Sequence, residues 1–153
     1  MTTATQQQQK RTTVPPIVNS LVRWILRSPF HGIISRNIML LTVTGRKSGR
    51  LYAIPVSYVR QGDMVLCTTQ GNWWKNLRDR AEVTVRLQGR DMPGFAKAIY
   101  ADREAIARGI EAMLTHIPGD ARYYQVRLDA DKRPRPEDVA RAAERRVLIQ
   151  VQL

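Results

Sequence analysis

Apolar and polar residues alternate in short runs through the middle of the chain, and a two-residue period of this kind predicts β-strands. Ile38 to Thr44 is one such run and Leu51 to Arg60 a second, joined by Gly45-Arg46-Lys47-Ser48-Gly49. Gln61-Gly62-Asp63 reads as a tight turn into a strand from Met64 to Thr69. Glu82 to Gln88 alternates most cleanly, with Val83, Val85 and Leu87 on one side and Thr84, Arg86 and Gln88 on the other. Gly89-Arg90-Asp91 then turns the chain into Phe95 to Tyr100, and Val147 to Leu153 reads as a final strand.

Helical spacing appears in four places. Ile17, Val18, Leu21, Val22, Trp24 and Ile25 predict a short N-terminal helix, which Ser28-Pro29 ends. Trp73 to Arg80 places Trp73, Asn76, Leu77 and Arg80 on one side of a second. Asp102 is the expected N-cap of a third, running through Thr115 with Ile106, Ile110, Met113 and Leu114 as its buried stripe, and Pro118-Gly119 stops it. Pro136, followed by Glu137 and Asp138, opens the fourth. Short strands joined mainly by tight turns, with helices inserted late, predict a mainly β (α+β) domain built as an antiparallel barrel. Residues 1–13 are polar and Gln-rich, which predicts a disordered tail ahead of a single domain at 14–153.

Charge changes the picture next, because a net +12 draws acidic partners. Nucleic acid, an anionic membrane face and a multiply charged small molecule all qualify. The basic residues are spread along the chain, not gathered in one helix or arm, so specific nucleic-acid binding ranks last. Cys67 is the only cysteine, so no internal disulfide forms, and no secretory leader pattern is visible. A cytoplasmic protein is expected. No apolar stretch approaches the roughly 20 residues needed to cross a bilayer, although the N-terminal apolar helix leaves peripheral contact with a membrane surface open.

The segment Gly45 to Gly49 carries the clearest chemistry. Two glycines free the backbone, Arg46 and Lys47 supply charge, and Ser48 supplies a directional hydroxyl, as an anion cradle requires. A solvated hairpin turn is the bland alternative. Trp73 and Trp74 follow Gly71-Asn72; one ring can pack inward while the other borders a cleft able to hold a planar group, or both simply cap the barrel. Pro55 interrupts a strand pattern and implies an edge, a bulge or a break facing a ligand. Tyr123 and Tyr124 each offer a hydroxyl. His31, His116 and Cys67 give no metal-ligand spacing, no GxSxG elbow is present, and Cys67 reads as a small buried hydrophobe.

Taken in order, these segments resemble the deazaflavin-dependent nitroreductase family of the flavin and pyridoxamine phosphate oxidase split β-barrels. The likeness runs from about residue 17 to 153. It lies in Leu40 to Gly49, Pro55, Trp73-Trp74-Lys75-Asn76-Leu77, Val83-Thr84-Val85 and Tyr124-Gln125 before the last strand. The resemblance implies an antiparallel split β-barrel with an N-terminal helix and helices in the C-terminal third, binding coenzyme F-420. It implies a hydride transferred to a quinone, nitro compound or similar flat electrophile. Arg46, Lys47, Ser48 and Gly49 would meet the phosphate and glutamate tail. Pro55, Val56, Thr68, Thr69 and Gln70 would lie along the deazaflavin, and Trp73, Trp74 and Asn76 would close the wall. Tyr124 would stand near the substrate.

Related split barrels often pair, so a homodimer is a further expectation, although nothing in the sequence specifies an interface. Three features depart from the family pattern. Tyr52 stands where an Arg three residues before the strand proline is usual, Gln70-Gly71-Asn72 is a shortened loop, and Leu128 to Ala143, with its Lys132-Arg133-Pro134-Arg135 run, is long. The first two motivate the alternative of a non-catalytic module of the same fold holding a fatty acid or FMN.

Overall fold

The structure, a computed structural model, describes residues 34–153. The expected tail at 1–13 and helix at 17–27 lie outside them. A short turn of helix, α1 (Ile34–Asn37), leads into β1 (Ile38–Thr44), β2 (Leu51–Ser57), β3 (Val59–Gln61) and β4 (Met64–Thr69). A 3-10 segment, Asn72–Leu77, precedes β5 (Ala81–Leu87) and β6 (Arg90–Ile99). Then come α2 (Arg103–His116), α3 (Ala121–Tyr124), α4 (Pro136–Ala143) and β7 (Val147–Gln152).

Among the described residues, the seven strands form one sheet of order β2-β1-β5-β6-β7-β4-β3, with every pairing antiparallel. The sequence predicts one strand from Leu51 to Arg60, but the structure splits it. β2 pairs with β1 at one end of the sheet, and β3 pairs with β4 at the other. Only Tyr58 separates the two, and its amide donates to the Asn37 carbonyl at 2.9 Å. Opposite ends of a seven-stranded sheet joined by one residue require the sheet to curl round on itself, and β2 accordingly comes back against β4. The half-closed barrel matches the expected antiparallel architecture.

β6 also begins earlier than the alternation suggests, because Met92-Pro93-Gly94 hides its start. Pro93 lies opposite Thr84 of β5, whereas β7 pairs with β6 only from Phe95 onward. The missing N–H therefore falls where β6 has a neighbour on one side only. Pro55 obeys the same rule, since β2 is an edge strand and Pro55 is exposed.

Two cores form, one on each side of β4. Val65 and Cys67 face the barrel interior with Met39, Leu41, Val43, Val85, Ile149 and Val151. Leu66 faces the helical layer with Ile106, Ile110, Met113 and Leu114 of α2, Val139 of α4 and Leu148 of β7. The predicted stripe of α2 is fully buried, and the Asp102 side chain accepts from the Ala105 amide at 3.0 Å as the N-cap. Gly109 lets α2 sit directly on β7, for a Cβ there would come within 2.6 Å of Leu148. α4 begins at Pro136 and holds the preceding connection through Asp138. That buried carboxylate accepts from the Arg127 amide at 3.0 Å and from both Arg127 and Arg141 guanidinium groups. The Arg127 bonds keep its carboxyl well below the usual range. Leu128 bridges Pro134, so the long 128–143 segment is a closed loop followed by a helix.

Candidate functional site

The turn from Gly45 to Gly49 is held by its own backbone. Gly45 donates to the Arg50 carbonyl at 2.7 Å and Gly49 to the Gly45 carbonyl at 2.8 Å. Gly49 takes φ +68, a conformation glycine adopts without strain. Gly45 is required by space instead: a Cβ would fall 2.7 Å from Ser48 Oγ and 2.9 Å from the Tyr52 ring. The Ser48 hydroxyl accepts from the Arg50 amide at 3.2 Å and lies 3.5 Å from the Tyr52 hydroxyl, so it shapes the turn. Tyr52 fills space beside that turn where a cation was expected from the resemblance.

Arg46 and Lys47 project into solvent, and no ion pair among the described residues uses them. No Asp or Glu occurs anywhere before Asp63, so this part of the sequence supplies no acid to neutralise them locally. The donor set suits a polyanionic tail, which is what the phosphate and glutamate tail of a deazaflavin cofactor presents.

Asn76 connects this turn to the tryptophan segment. Its Oδ1 accepts from the Arg46 amide at 3.1 Å, and its Nδ2 donates to the Trp73 carbonyl at 3.0 Å. Both ends of the amide are thereby committed to bracing the two segments. The segment is a 3-10 turn and not the longer helix that the spacing predicts, and the Asn76 side chain caps it back onto the Trp73 carbonyl. Trp73 and Trp74 are both half-buried against the barrel core. Trp74 is also covered from outside, by Tyr100 at 4.9 Å between ring centres and by the Arg78 guanidinium at 5.2 Å. Trp73 lies over Gly71, whose amide donates to Thr69 Oγ1 at 2.9 Å.

The remaining expected residues divide by strand alternation. Val56 packs against the barrel core beside Ile54, whereas Pro55 points outward. Gln70 is exposed at the end of β4. Thr69 faces the barrel and braces Gly71, while Thr68 faces the helical layer and meets Tyr124 hydroxyl to hydroxyl at 2.6 Å. Tyr123 is exposed, and Tyr124 is buried in the helical core. Burial pushes the Tyr124 phenol above its ordinary value, against the Thr68 hydrogen bond and the nearby Arg146 charge, which favour ionisation. The structure thus brings together a turn–tryptophan group on the barrel side of β4 and a Thr68–Tyr124 group on its helical side.

Sequence reasoning missed Arg146. Its guanidinium carbon stacks 3.9 Å from the centre of the Tyr124 ring, and it donates to the Tyr123 carbonyl at 2.9 Å. Arg146 is 78 positions from Thr68 in the chain, and no local pattern marks it.

The described residues thus build an antiparallel split barrel with a basic turn braced to a pair of tryptophans. The family model of F420H(2)-dependent quinone reductase matches residues 29–132, more than half of the chain, and the protein belongs to that family. Coenzyme F-420 is therefore its cofactor. Among solved structures, an F420-H2 dependent reductase (FDR-A) matches at 18% identity and TM-score 0.51, over 76% of this chain and 95% of that one. A second, described as a domain-swapped dimer, matches at 18% identity and TM-score 0.51, over 89% of this chain and 96% of that one. A 5-nitroimidazole antibiotic resistance protein from Bacteroides thetaiotaomicron matches at 14% identity and TM-score 0.52, over 78% and 74% respectively. These likenesses establish the shared fold. No curated protein matches. No helix among the described residues is long and apolar enough to cross a membrane.

Proposed function

We propose that Arg46 and Lys47 hold the anionic tail of coenzyme F-420 and that the protein directs its hydride to a quinone, nitro compound or similar flat acceptor at Tyr124. When bound, the reduced deazaflavin supplies the hydride; the protein supplies binding, orientation and exclusion of water. The observation that carries this reading is the turn itself: two solvent-facing cations without an acid partner, fixed by the Asn76 brace beside Trp73. Ser48 and Gly49 set the turn's shape. Val56, Thr69 and Trp73 offer the ring its bed on the barrel side. Pro55, turned outward, and Trp74, covered by Tyr100 and Arg78, support that bed from behind, and Gln70 borders its rim. Tyr124, whose phenol burial raises above its ordinary value, orients the acceptor through its hydroxyl.

Titration with F-420, FMN and FAD, followed by Trp fluorescence, tests the reading. Micromolar, F-420-selective quenching is expected, and Lys47→Ala weakens it about 10-fold without lowering the melting temperature. Quenching by no flavin, together with release of a bound lipid detected by mass spectrometry, favours the non-catalytic module.

Two further expectations belong with this reading. A homodimer, supported by the pairing described for one structure of the same fold, is tested by light scattering of the eluted protein. A cytoplasmic location with peripheral membrane contact through residues 17–27 is tested by co-sedimentation with anionic vesicles.

A further inference from the structure

Arg146 is a cation whose surroundings leave its donors in excess. It is half-buried, and no carboxylate of the described residues pairs with it. Residues 1–62 contain no Asp or Glu at all, so the rest of the chain holds none to offer. Of the five N–H donors of a guanidinium, one reaches the Tyr123 carbonyl at 2.9 Å and another approaches Thr68 Oγ1 at only 3.5 Å. The Thr68 and Tyr124 hydroxyls, 2.6 Å apart, spend one hydrogen on each other and keep a second to donate. Burial pulls the Arg146 guanidinium below its ordinary value, and the charges of Tyr124 and Asp120 nearby offset that only in part, Asp120 making no ion pair with it. The matched family segment ends at residue 132, so Arg146 lies outside it.

A cluster of three donors around two hydroxyl oxygens and one carbonyl lacks a hydrogen-bonded acceptor of negative charge, for Asp120 acts on it only at a distance. A strut for the end of α3 would need only the single bond to the Tyr123 carbonyl, and the stacking on Tyr124 and the approach to Thr68 would be superfluous. We propose that Arg146, Thr68 and Tyr124 together form a receptor for an anionic oxygen. Its source is the oxyanion of the acceptor during reduction or a carboxylate of the cofactor tail, and the inference rests on the redox reading above. With a quinone, the hydride's electron pair makes the new bond to the acceptor and a π pair moves onto the acceptor's oxygen. Arg146 holds that oxygen until a solvent proton neutralises it, and the reduced deazaflavin is oxidised by two electrons. A guanidinium suits this task because it stays charged when partly buried and offers a planar fork.

The test uses the full chain with Arg146→Gln and Arg146→Lys. In the wild-type protein without cofactor, sodium benzoate, a flat carboxylate, shifts one arginine Nε resonance in ¹H–¹⁵N spectra saturably. Both variants lose that resonance and bind benzoate about 10- to 100-fold more weakly by competition. With a water-soluble quinone, Arg146→Gln lowers kcat by a similar factor while F-420 affinity holds, which assigns the oxygen to the acceptor. A 10-fold weaker F-420 affinity with saturated kcat intact assigns it to the cofactor tail, and the receptor stands either way. Absence of a saturable shift in the wild-type protein, or unchanged benzoate affinity in Arg146→Gln, overturns the receptor and leaves a strut. If Arg146→Gln does not fold, Arg146→Lys, which keeps the charge and one bond to Tyr123, decides on the same readouts. Should wild-type protein bind benzoate but no F-420, the redox reading fails while the receptor survives.

Discussion

The two sides of β4 treat charge in opposite ways. On the barrel side, Arg46 and Lys47 stand in water on a turn fixed by backbone bonds, so their attraction reaches outward and is screened by salt. On the helical side, Arg146, Tyr124 and Thr68 are half-buried or buried, within hydrogen-bond or stacking distance of one another, where screening is weak. In the proposed reading the first arrangement captures a polyanion from solution and tolerates small displacements, whereas the second discriminates over a few tenths of an ångström. Strand alternation produces the difference, because neighbouring residues of one strand, Thr68 and Thr69, serve the two sides separately.

The comparison breaks most visibly if the exposed cations are inverted. Arg46→Glu combined with Lys47→Glu weakens F-420 binding by roughly 1000-fold at low salt, with much of the gap closing at 0.5 M salt, and leaves the melting temperature within a degree or two. Isothermal titration at two salt concentrations checks this, and a salt-independent loss would place those side chains away from the tail. Tyr124→Phe acts on the other side: kcat/KM for a quinone falls by about 100-fold with F-420 affinity intact. The Thr68 hydroxyl loses its short bond in that variant, so stability falls by about 1–2 kcal/mol in urea denaturation.

Smaller effects sharpen the picture. Asn76→Asp keeps an acceptor for the Arg46 amide but loses the donor to Trp73, whereas Asn76→Ala loses both. F-420 affinity should therefore fall several-fold in the alanine variant and about half as far, in logarithmic terms, in the aspartate variant. The smallest effect near neutrality concerns pH. Burial pushes the Cys67 thiol from 9.0 up to about 12 and raises the Tyr124 phenol as well. A raised pKa gives stability that is complete below the unfolded value and is lost as pH climbs towards the folded one. Urea midpoints should hold steady to about pH 8.5 and decline towards pH 12. Cys67→Val should flatten the first part of that decline, and an identical slope in this variant would assign the loss elsewhere.

What the sequence disclosed depended on how far each feature reaches along the chain. The turn at 45–49, the Asp102 cap and the Pro136 helix start were legible because neighbouring residues settle them. The barrel architecture followed from strand spacing, and the family motifs added the cofactor. The break at Tyr58 was hidden because alternation continues across it, and only pairing partners reveal that the chain has changed ends of the sheet. The outward turn of Pro55 and the cover over Trp74 needed the third dimension. Arg146 was invisible for the same reason: the partners that define it are Thr68 and Tyr124, one in the middle of the chain and the other in a different element.

The place of β7 between β4 and β6 also fixes when this molecule can first exist during synthesis. Thr69 must wait for Val147 before its strand has an inner neighbour. A ribosome adding about 5–20 residues each second therefore exposes β4 and β6 for several seconds with one flank open. Tyr58 cannot close the curl in that interval, since the sheet ends it joins are not yet parts of one sheet. The nascent chain reaches its barrel only when β7 emerges, and until then the open flanks of β4 and β6 are the surfaces a chaperone would have to shield.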